Sequence, residues 1–364
     1  MKILYVITST DVGGAEKFLT ELIKETAKKH TVGVISLNKK GVLASKMLEN
    51  GACNVWSFDM IRPYKRGVVR DISRIIESFG PDIVHAFLYR AIQFCRLACA
   101  GKKCKLVCSP HFDMAKRPFF LRYADKILSR IDLLCVAESL ATAHYLVEKQ
   151  GYPKEKVYFL PNGADKNKFF PSPLLRKEMR EKYGLSDTEI VFINVARLAA
   201  VKDQNTLLKS FLRVYRQNAS LRLVLVGDGE KRPEIEAFIA ENGLEKAVLL
   251  LGEQEDVNAF LNMADIFVLS SVEESLPMSL LEAISTGLPC VVSDVGDMKM
   301  WVSHGQNGFV FKKKDEVLLS CLLAEIAENK TLRAQMKQKT LKKAEEIINP
   351  FEQYQQIYEQ VKNK

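Results

Sequence analysis

Short runs of apolar, β-branched residues alternate along this chain with longer segments whose apolar positions recur at helical spacing, the pattern of βαβ units built around parallel sheets. The runs fall into two sets. The first predicts strands over 3–7, 32–37, 55–58, 83–86, 106–108, 133–136 and 157–160, and the second over 190–195, 221–226, 248–251, 266–269, 290–292 and 309–311. After the first run, Ala15, Phe18, Leu19, Leu22, Ile23, Thr26 and Ala27 follow i, i+3, i+4, i+7 spacing, so one helix face packs on a sheet and charges take the other. Between the two sets, Pro161-Asn162-Gly163-Ala164-Asp165 and Phe170-Pro171-Ser172-Pro173 continue neither helix nor strand and predict a linker. Near the end, Asn349-Pro350 predicts an N-cap and a first-turn proline that open a last helix containing Tyr354 and Tyr358. At 364 residues the chain exceeds what one core usually supports, so two parallel-sheet domains are expected, 1–166 and 172–348. The carboxyl ends of their strands predict a ligand cleft between the two.

Composition narrows the class. An apolar content of 47% with 27% charged residues is that of a soluble globular protein. The longest apolar stretches, such as 247–252 and 266–269, fall far short of the roughly 20 residues a membrane-spanning helix needs, so any membrane contact is expected to be peripheral. Residues 1–8 are apolar but too short for a signal h-region and run into Asp11-Val12-Gly13-Gly14, so no secretion signal is read. Cysteines are scattered without a C-x-x-C pair and read as buried thiols of a reducing, cytoplasmic compartment. The local cluster Cys95, Cys99, Cys104 and Cys108 does not match common zinc spacings and reads as a helix followed by a buried strand. Net charge is +9, and residues 1–170 carry 28 Lys+Arg against 16 Asp+Glu while residues 171–364 carry 25 against 28, so the first half holds all the excess.

Two constellations carry candidate chemistry. Glu274 and Glu282 flank Ser275-Leu276-Pro277-Met278-Ser279 after a strand with a Ser270-Ser271 exit; Gly287 marks a helix end, which predicts a helix over 278–286 with Glu282 one turn inside. A carboxylate accepts hydrogen bonds from paired sugar hydroxyls, and the free amides of a helix start favour phosphate oxygens. By spacing alone the same two acids also fit a surface residue and a mid-helix residue in an ion pair. Arg197 and Lys202 leave the first strand of the second set, where a forked guanidinium and a mobile ammonium would neutralise a diphosphate. They would also favour a leaving group that gains negative charge, although each residue alone fits an ordinary surface cation equally well.

Weaker signals surround these. Gly13-Gly14 would let backbone approach a ligand beside a helix start, but a tight turn explains it too, and it is not the full G-x-G-x-x-G pattern of nicotinamide enzymes. His111 and His85 follow strands at the carboxyl edge of the first sheet, and His85 reads as structural. There is no H-E-x-x-H and no Asp-x-Asp, so no bound metal and no cofactor beyond a nucleotide substrate are expected. Arg66, Arg70 and Arg74 share one helical face, and Arg122, Lys126 and Arg130 repeat the spacing after Phe119-Phe120. Such stripes suit an anionic membrane surface or a phosphorylated acceptor, and equally a solvated face.

Taken in order, these residues resemble the family 4 retaining glycosyltransferases over nearly the whole chain. The family's glycine loop is matched by Gly13-Gly14-Ala15-Glu16, its P-D-x-V-H by Pro81-Asp82-Ile83-Val84-His85, and its P-N-G-x-D by Pro161-Asn162-Gly163-Ala164-Asp165. Its cation pair maps to Arg197 and Lys202, its V-G-D-G to Val226-Gly227-Asp228-Gly229, and its E-x7-E to Glu274 and Glu282. The resemblance implies an α/β GT-B fold, two Rossmann-like doubly wound domains facing a central cleft, with residues 349–364 returning to the first. It implies Glu274 on the donor sugar, Glu282 on the ribose, the backbone of Leu276, Pro277, Met278 and Ser279 with Arg197 and Lys202 on the diphosphate, Gly13 and Gly14 beneath it, and His111 near the transferred sugar. It further implies retention of anomeric configuration, no obligatory metal, a UDP- or GDP-sugar donor, and a glycan or lipid-linked acceptor of cell-surface polysaccharide or glycolipid assembly. One departure is visible: where the family has D-V-G-G, this chain has Asp294-Val295-Gly296-Asp297. Two other classes fit less of the sequence: a nucleotide-sugar epimerase or hydrolase on the same fold, and a non-catalytic binding protein. No zinc finger, RNA-recognition signature or aromatic-basic motif points to a nucleic-acid partner.

Overall fold

The computed structural model describes residues 1–60, 67–111 and 119–363, with the side chains of residues 119–122 and 124 outside the description. Arg66 and the side chain of Arg122 therefore lie outside the described part. The chain divides into two compact units, Met1–Pro161 with Pro350–Lys364, and Asn162–Asn349.

The first unit holds a seven-stranded sheet of order β3-β2-β1-β4-β5-β6-β7. Its strands are β1 (Lys2–Ile7), β2 (Thr31–Ser36), β3 (Ala52–Ser57), β4 (Ile83–Phe87), β5 (Lys105–Ser109), β6 (Leu134–Ala137) and β7 (Val157–Phe159). The second unit holds six strands in the order β10-β9-β8-β11-β12-β13. These are β8 (Ile190–Val195), β9 (Leu221–Val226), β10 (Val248–Leu250), β11 (Ile266–Leu269), β12 (Cys290–Ser293) and β13 (Gly308–Phe311). Every strand pair is parallel. In each sheet the order reverses beside the first strand, between β1 and β4 and between β8 and β11, which creates a topological switch point where diverging crossovers leave room for a ligand.

The strands sit where the apolar runs predict because helices cover both faces of each sheet. Ile3, Leu4, Tyr5, Val6 and Ile7 of β1 are all fully buried, as are Ile266, Phe267, Val268 and Leu269 of β11. The first helix, Gly14–Ala27, buries Phe18, Leu19, Leu22, Ile23 and Thr26 on its predicted face. The division between units falls at Asn162 rather than after residue 166. Ala164 and Phe169 join the core of the second unit, and Phe170 and Ser172 give their backbone N–H groups to Asn258 and Asn262. The cysteine cluster reads as the helix Tyr89–Cys99 followed by β5, with Cys95, Cys99 and Cys108 buried free thiols.

The last helix, Pro350–Lys362, is sewn into the first unit by a chain of buried hydroxyls around His85. Nδ1 of His85 lies 2.7 Å from Tyr358 Oη, which donates to Tyr5 Oη at 3.1 Å, which in turn donates to Thr26 Oγ1 at 2.9 Å. Because the Tyr358 proton is committed to Tyr5, Nδ1 is the donor and Nε2, 2.8 Å from Ser109 Oγ, the acceptor: a neutral ring. Burial pushes the His85 pKa well below its usual value, and burial lowers His111, stacked on Phe87, to about 4. The sign follows directly. A histidine whose folded pKa is depressed takes up its proton first in the unfolded chain, so its contribution is present above about pH 6.5 and shrinks as pH falls. We expect the urea midpoint to fall between pH 7 and pH 5.5, and to fall less steeply in His85→Gln; parallel slopes for the two proteins would remove His85 as the cause.

Candidate active site

The second sheet's switch point gathers most of the candidate residues. β8 is followed by Ala196-Arg197-Leu198, and the loop runs through the short helix Ala200–Lys202 to the helix Gln204–Tyr215. β11 is followed by Ser270-Ser271, and the chain continues through Glu274 to the helix Met278–Ser285. Adjacent parallel strands thus send one basic and one acidic loop out of the same edge.

The two loops are tied together. Val272 N–H donates to Val201 O at 2.9 Å, and Ser270 Oγ donates to the carbonyls of Lys202 and Asp203 at 3.2 and 2.8 Å. This framing brings the Lys202 ammonium directly onto Glu274 Oε1, with the two side chains 21% and 11% exposed. Ser271 Oγ donates to the same oxygen at 2.8 Å. Glu274 Oε1 is thus held by a cation and a hydroxyl, which orients the carboxylate at the loop. Arg197 is exposed on the same basic loop, and its carbonyl accepts from Gln204 Nε2 at 3.0 Å.

Between Glu274 and Glu282 lies a helix start without a side-chain cap. Several helices of this chain are capped by a side-chain oxygen, including those at Ser172, Asp203, Asp256, Asp315 and Asn329. The helix Met278–Ser285 begins at Pro277, which has no side-chain acceptor; the Leu280 N–H donates to Pro277 O at 3.2 Å, and the amides of Met278 and Ser279 have no side-chain cap. The approach is fixed from across the unit, where Asn162 Nδ2 donates to Leu276 O at 2.8 Å. Glu282 lies one turn into this helix, half-buried.

β12 supplies the next wall. Ser293 Oγ donates to Ser271 O at 2.5 Å, and Asp297 N–H donates to Ser275 O at 2.8 Å. Gly296 lies between them at φ +55°, and a Cβ there would stand 2.3 Å from the carbonyl oxygens of both Glu274 and Ser275. The turn after β9 makes a similar crossing, since a Cβ on Gly227 would stand 2.0 Å from Ala196 O at the root of the basic loop. We expect Gly296→Ala to displace the Glu274 loop and cost about 1–3 kcal/mol of backbone strain with a severe loss of activity. A melting temperature and rate unchanged from wild type would show that the loop tolerates the shift.

Arg197, Lys202, Glu274, Leu276, Pro277, Met278, Ser279 and Glu282 all lie in the second unit. Gly13, Gly14 and His111 lie in the first, at its own carboxyl edge. Gly13 caps the first helix in extended conformation, and among the described residues no atom lies within 4 Å of a Cβ built on Gly14. His111 sits at φ +50° with its ring 5.2 Å from that of Phe18, and its Nε2 is buried without a hydrogen-bond partner among the described residues. Among the basic stripes, Arg70 is exposed and Arg74 pairs with Asp71 at 3.6 Å. Lys126 and Arg130 are exposed, next to Tyr123 and Ile127, which are 69% and 50% exposed on the helix Phe119–Leu128. Ser271, Asn162 and Gly296 stand in the sequence within a strand exit and two motifs without an assigned role, because their partners are not visible there. Among the described residues no cluster of His, Cys, Asp or Glu is placed to hold a metal, and no helix is long and apolar enough to cross a membrane.

Comparison with known proteins identifies the family. Residues 12–168 match the family described as Glycosyltransferase Family 4, and residues 176–343 match Glycosyl transferases group 1. The chain is 24% identical over 369 residues to the N-acetyl-alpha-D-glucosaminyl L-malate synthase of Bacillus anthracis, covering 95% of this chain and 94% of that protein. It is 32% identical over 186 residues to the UDP-Gal:alpha-D-GlcNAc-diphosphoundecaprenol alpha-1,3-galactosyltransferase of Escherichia coli, covering 50% of this chain and 48% of that protein. Among solved structures, Anabaena Alr3699/HepE in complex with UDP-glucose superposes with a TM-score of 0.86 at 22% identity, covering 100% of both chains.

Proposed function

Because this chain belongs to the family 4 glycosyltransferases of GT-B fold and is a glycosyltransferase, we propose that it moves a hexosyl or N-acetylhexosaminyl group from a UDP- or GDP-sugar to a glycan or lipid-linked acceptor, with retention. The observation that carries the donor assignment is the Lys202–Glu274 pair at the switch point, beside an exposed Arg197 and a helix start capped only by Pro277.

In this reading the backbone N–H groups of Leu276, Met278 and Ser279, with Arg197 and Lys202, take the diphosphate, and Glu282 takes the ribose. As the glycosidic bond breaks, negative charge collects on the β-phosphate, and the preorganised amides and cations stabilise it. Lys202 then has two partners, Glu274 as in this structure and the phosphate of a bound donor. Its departure frees Oε1 of Glu274 to accept from sugar hydroxyls. The acceptor attacks the same face that the diphosphate leaves, and the phosphate takes the acceptor proton, so no protein base and no metal are required. The first unit, with Gly14 and His111 at its strand ends, receives the acceptor.

The relatives guide the acceptor class. The Escherichia coli protein is named for a diphosphoundecaprenol-linked acceptor and the Bacillus anthracis one for L-malate, and the basic excess of the first half favours an anionic, lipid-linked substrate here. Tyr123 and Ile127 stand one turn apart beside Lys126, a pairing of apolar and basic groups suited to peripheral contact with an anionic cytoplasmic membrane face. Calorimetric titration with UDP, GDP and ADP tests the donor site. Binding of at least one at micromolar to millimolar affinity is expected, and silence from all three at millimolar concentration overturns the assignment. Donor incubated alone separates the runner-up, because release of an epimer or free sugar at full rate without acceptor would favour an epimerase or hydrolase.

A further inference from the structure

We infer that Cys99 and Cys104 form a redox modification site, at which a hydroperoxide oxidises Cys104 and Cys99 then closes a reversible disulfide. The site lies in the first unit and stands independently of the donor-site reading above.

Local geometry brings the two thiols together. The helix Tyr89–Cys99 ends at Cys99 and β5 begins at Lys105, so only residues 100–104 are left to reverse the chain. Gly101 makes the reversal in the left-handed region at φ +74°, and the Lys102 N–H donates to Cys99 O at 3.0 Å. Cys104 returns against the core layer that contains Cys99, and the Cys99 thiol donates a hydrogen bond to the Cys104 sulfur. Cys99 is 4% exposed, whereas Cys104 is half-buried and within reach of a small oxidant.

The contact also sets the two thiols apart in acidity. The hydrogen bond from Cys99 lowers the Cys104 thiol to about 7 against the opposing effect of burial, with help from its own backbone N–H and from the Lys102 ammonium, which pairs with Glu77. Cys99 is pushed up by donating that bond and by burial, and burial pushes up Cys95 and Cys108 as well. Of these four thiols only Cys104 is a nucleophile near neutral pH, and it has a protonated thiol against it.

The chemistry follows from that pairing. The Cys104 thiolate attacks one peroxide oxygen, the O–O bond breaks, and the leaving hydroxide becomes water, which turns Cys104 into a sulfenic acid. The Cys99 sulfur then attacks the oxidised sulfur, the S–O bond breaks, and the Cys99 proton leaves with the hydroxide as a second water. The thiol pair has lost two electrons and two protons, and the peroxide has been reduced to water. A fall of a thiol from about 8.5 to about 7 raises its thiolate fraction at pH 7 about 15-fold and lowers its nucleophilicity about five-fold, so speed alone gains about three-fold. The adjacent thiol decides the product. The helix joined in this way carries Arg96, which holds Asp125 of the helix Phe119–Leu128, so the modification falls on an element that anchors its neighbour.

The test treats the full-length protein with hydrogen peroxide at pH 7, blocks the remaining thiols with iodoacetamide and reads tryptic peptides by mass spectrometry. Trypsin cuts after Lys102, so a bond between Cys99 and Cys104 survives as a linked pair of peptides. The exposed Cys53 and Cys321 serve as internal references. The linked pair is expected to form at least about three-fold faster than either reference thiol is oxidised, to vanish with dithiothreitol, and to be replaced in Cys99→Ser by a Cys104 sulfenic acid that dimedone traps. Oxidation of Cys53 and Cys321 without the linked pair overturns the inference. So does a linked pair that forms as fast in urea, where the fold no longer holds the sulfurs together. Wild type alone decides both points, so a variant that fails to fold leaves the test intact.

Discussion

Lys202→Ala is expected to lower kcat/KM by about 10²–10³-fold, the range found when one preorganised donor to a developing anion is removed. The reason lies in the two partners of its ammonium. In this structure it neutralises Glu274, whose side chain is 11% exposed; in the proposed mechanism it answers the charge that grows on the leaving diphosphate. The variant loses the second role and also leaves Glu274 facing the phosphate uncompensated. Glu274→Gln removes the repulsion but also the strong acceptor for sugar hydroxyls, so it is expected to lower kcat about as far while binding UDP as well as wild type or better. The double variant Lys202→Ala with Glu274→Gln should then bind UDP more tightly than Lys202→Ala alone, and the two losses in rate should be non-additive, as for groups in direct contact. Additive losses, or UDP affinity and rate within two-fold of wild type in Lys202→Ala, would show that the pair is a structural ion pair and nothing more.

That pair also marks how far the sequence could be read. The parallel strands were legible because burial on both faces writes each as an unbroken apolar run, as in β1 and β8, and their ends differ from the expected limits by only a residue or a few. The chemistry-bearing loops were legible as candidates, since they follow strands and open helices. What one dimension does not carry is direction. Nothing in the spacing says that Lys202 turns to Glu274 rather than to solvent, that Ser271 offers its hydroxyl to the same carboxylate, or that Asn162 reaches Leu276 O; these are contacts between positions 72 and 114 residues apart for the lysine and the asparagine. Asn162 reads from sequence as part of a linker and in the structure as a strut of the second unit, because a polar turn and a polar anchor have the same composition.

Arg96 shows the same limit at its strongest, and its replacement carries the largest expected effect on stability. A lone arginine in an amphipathic helix reads as a surface residue, yet the Arg96 side chain is 1% exposed, with Asp125 and Asp132 at 2% and 0%. Its Nε and Nη2 donate to the Asp132 carboxylate at 2.9 and 2.6 Å, Nη1 meets Asp125, and Tyr152 Oη donates to Asp132 at 2.5 Å. Gln93 and Gln150 donate to the remaining positions on Asp125. One cation thus holds two buried carboxylates, and Arg96→Ala strands both, for an expected loss of about 3–5 kcal/mol in urea unfolding. Arg96→Lys should recover little, since one ammonium cannot reproduce the fork. Arg96→Met with Asp125→Asn and Asp132→Asn should recover much of it, because the cost lies in uncompensated charge more than in the loss of the bonds themselves. The cluster also fixes the helix Phe119–Leu128, which carries Asp125 together with Lys126, Tyr123 and Ile127. If that helix meets the acceptor's surroundings, the triple variant, folded but with a loosened anchor, should raise KM for acceptor while leaving UDP binding by the second unit unchanged. A single Arg96→Ala costing under 1 kcal/mol would show that water or a shifted side chain neutralises the aspartates.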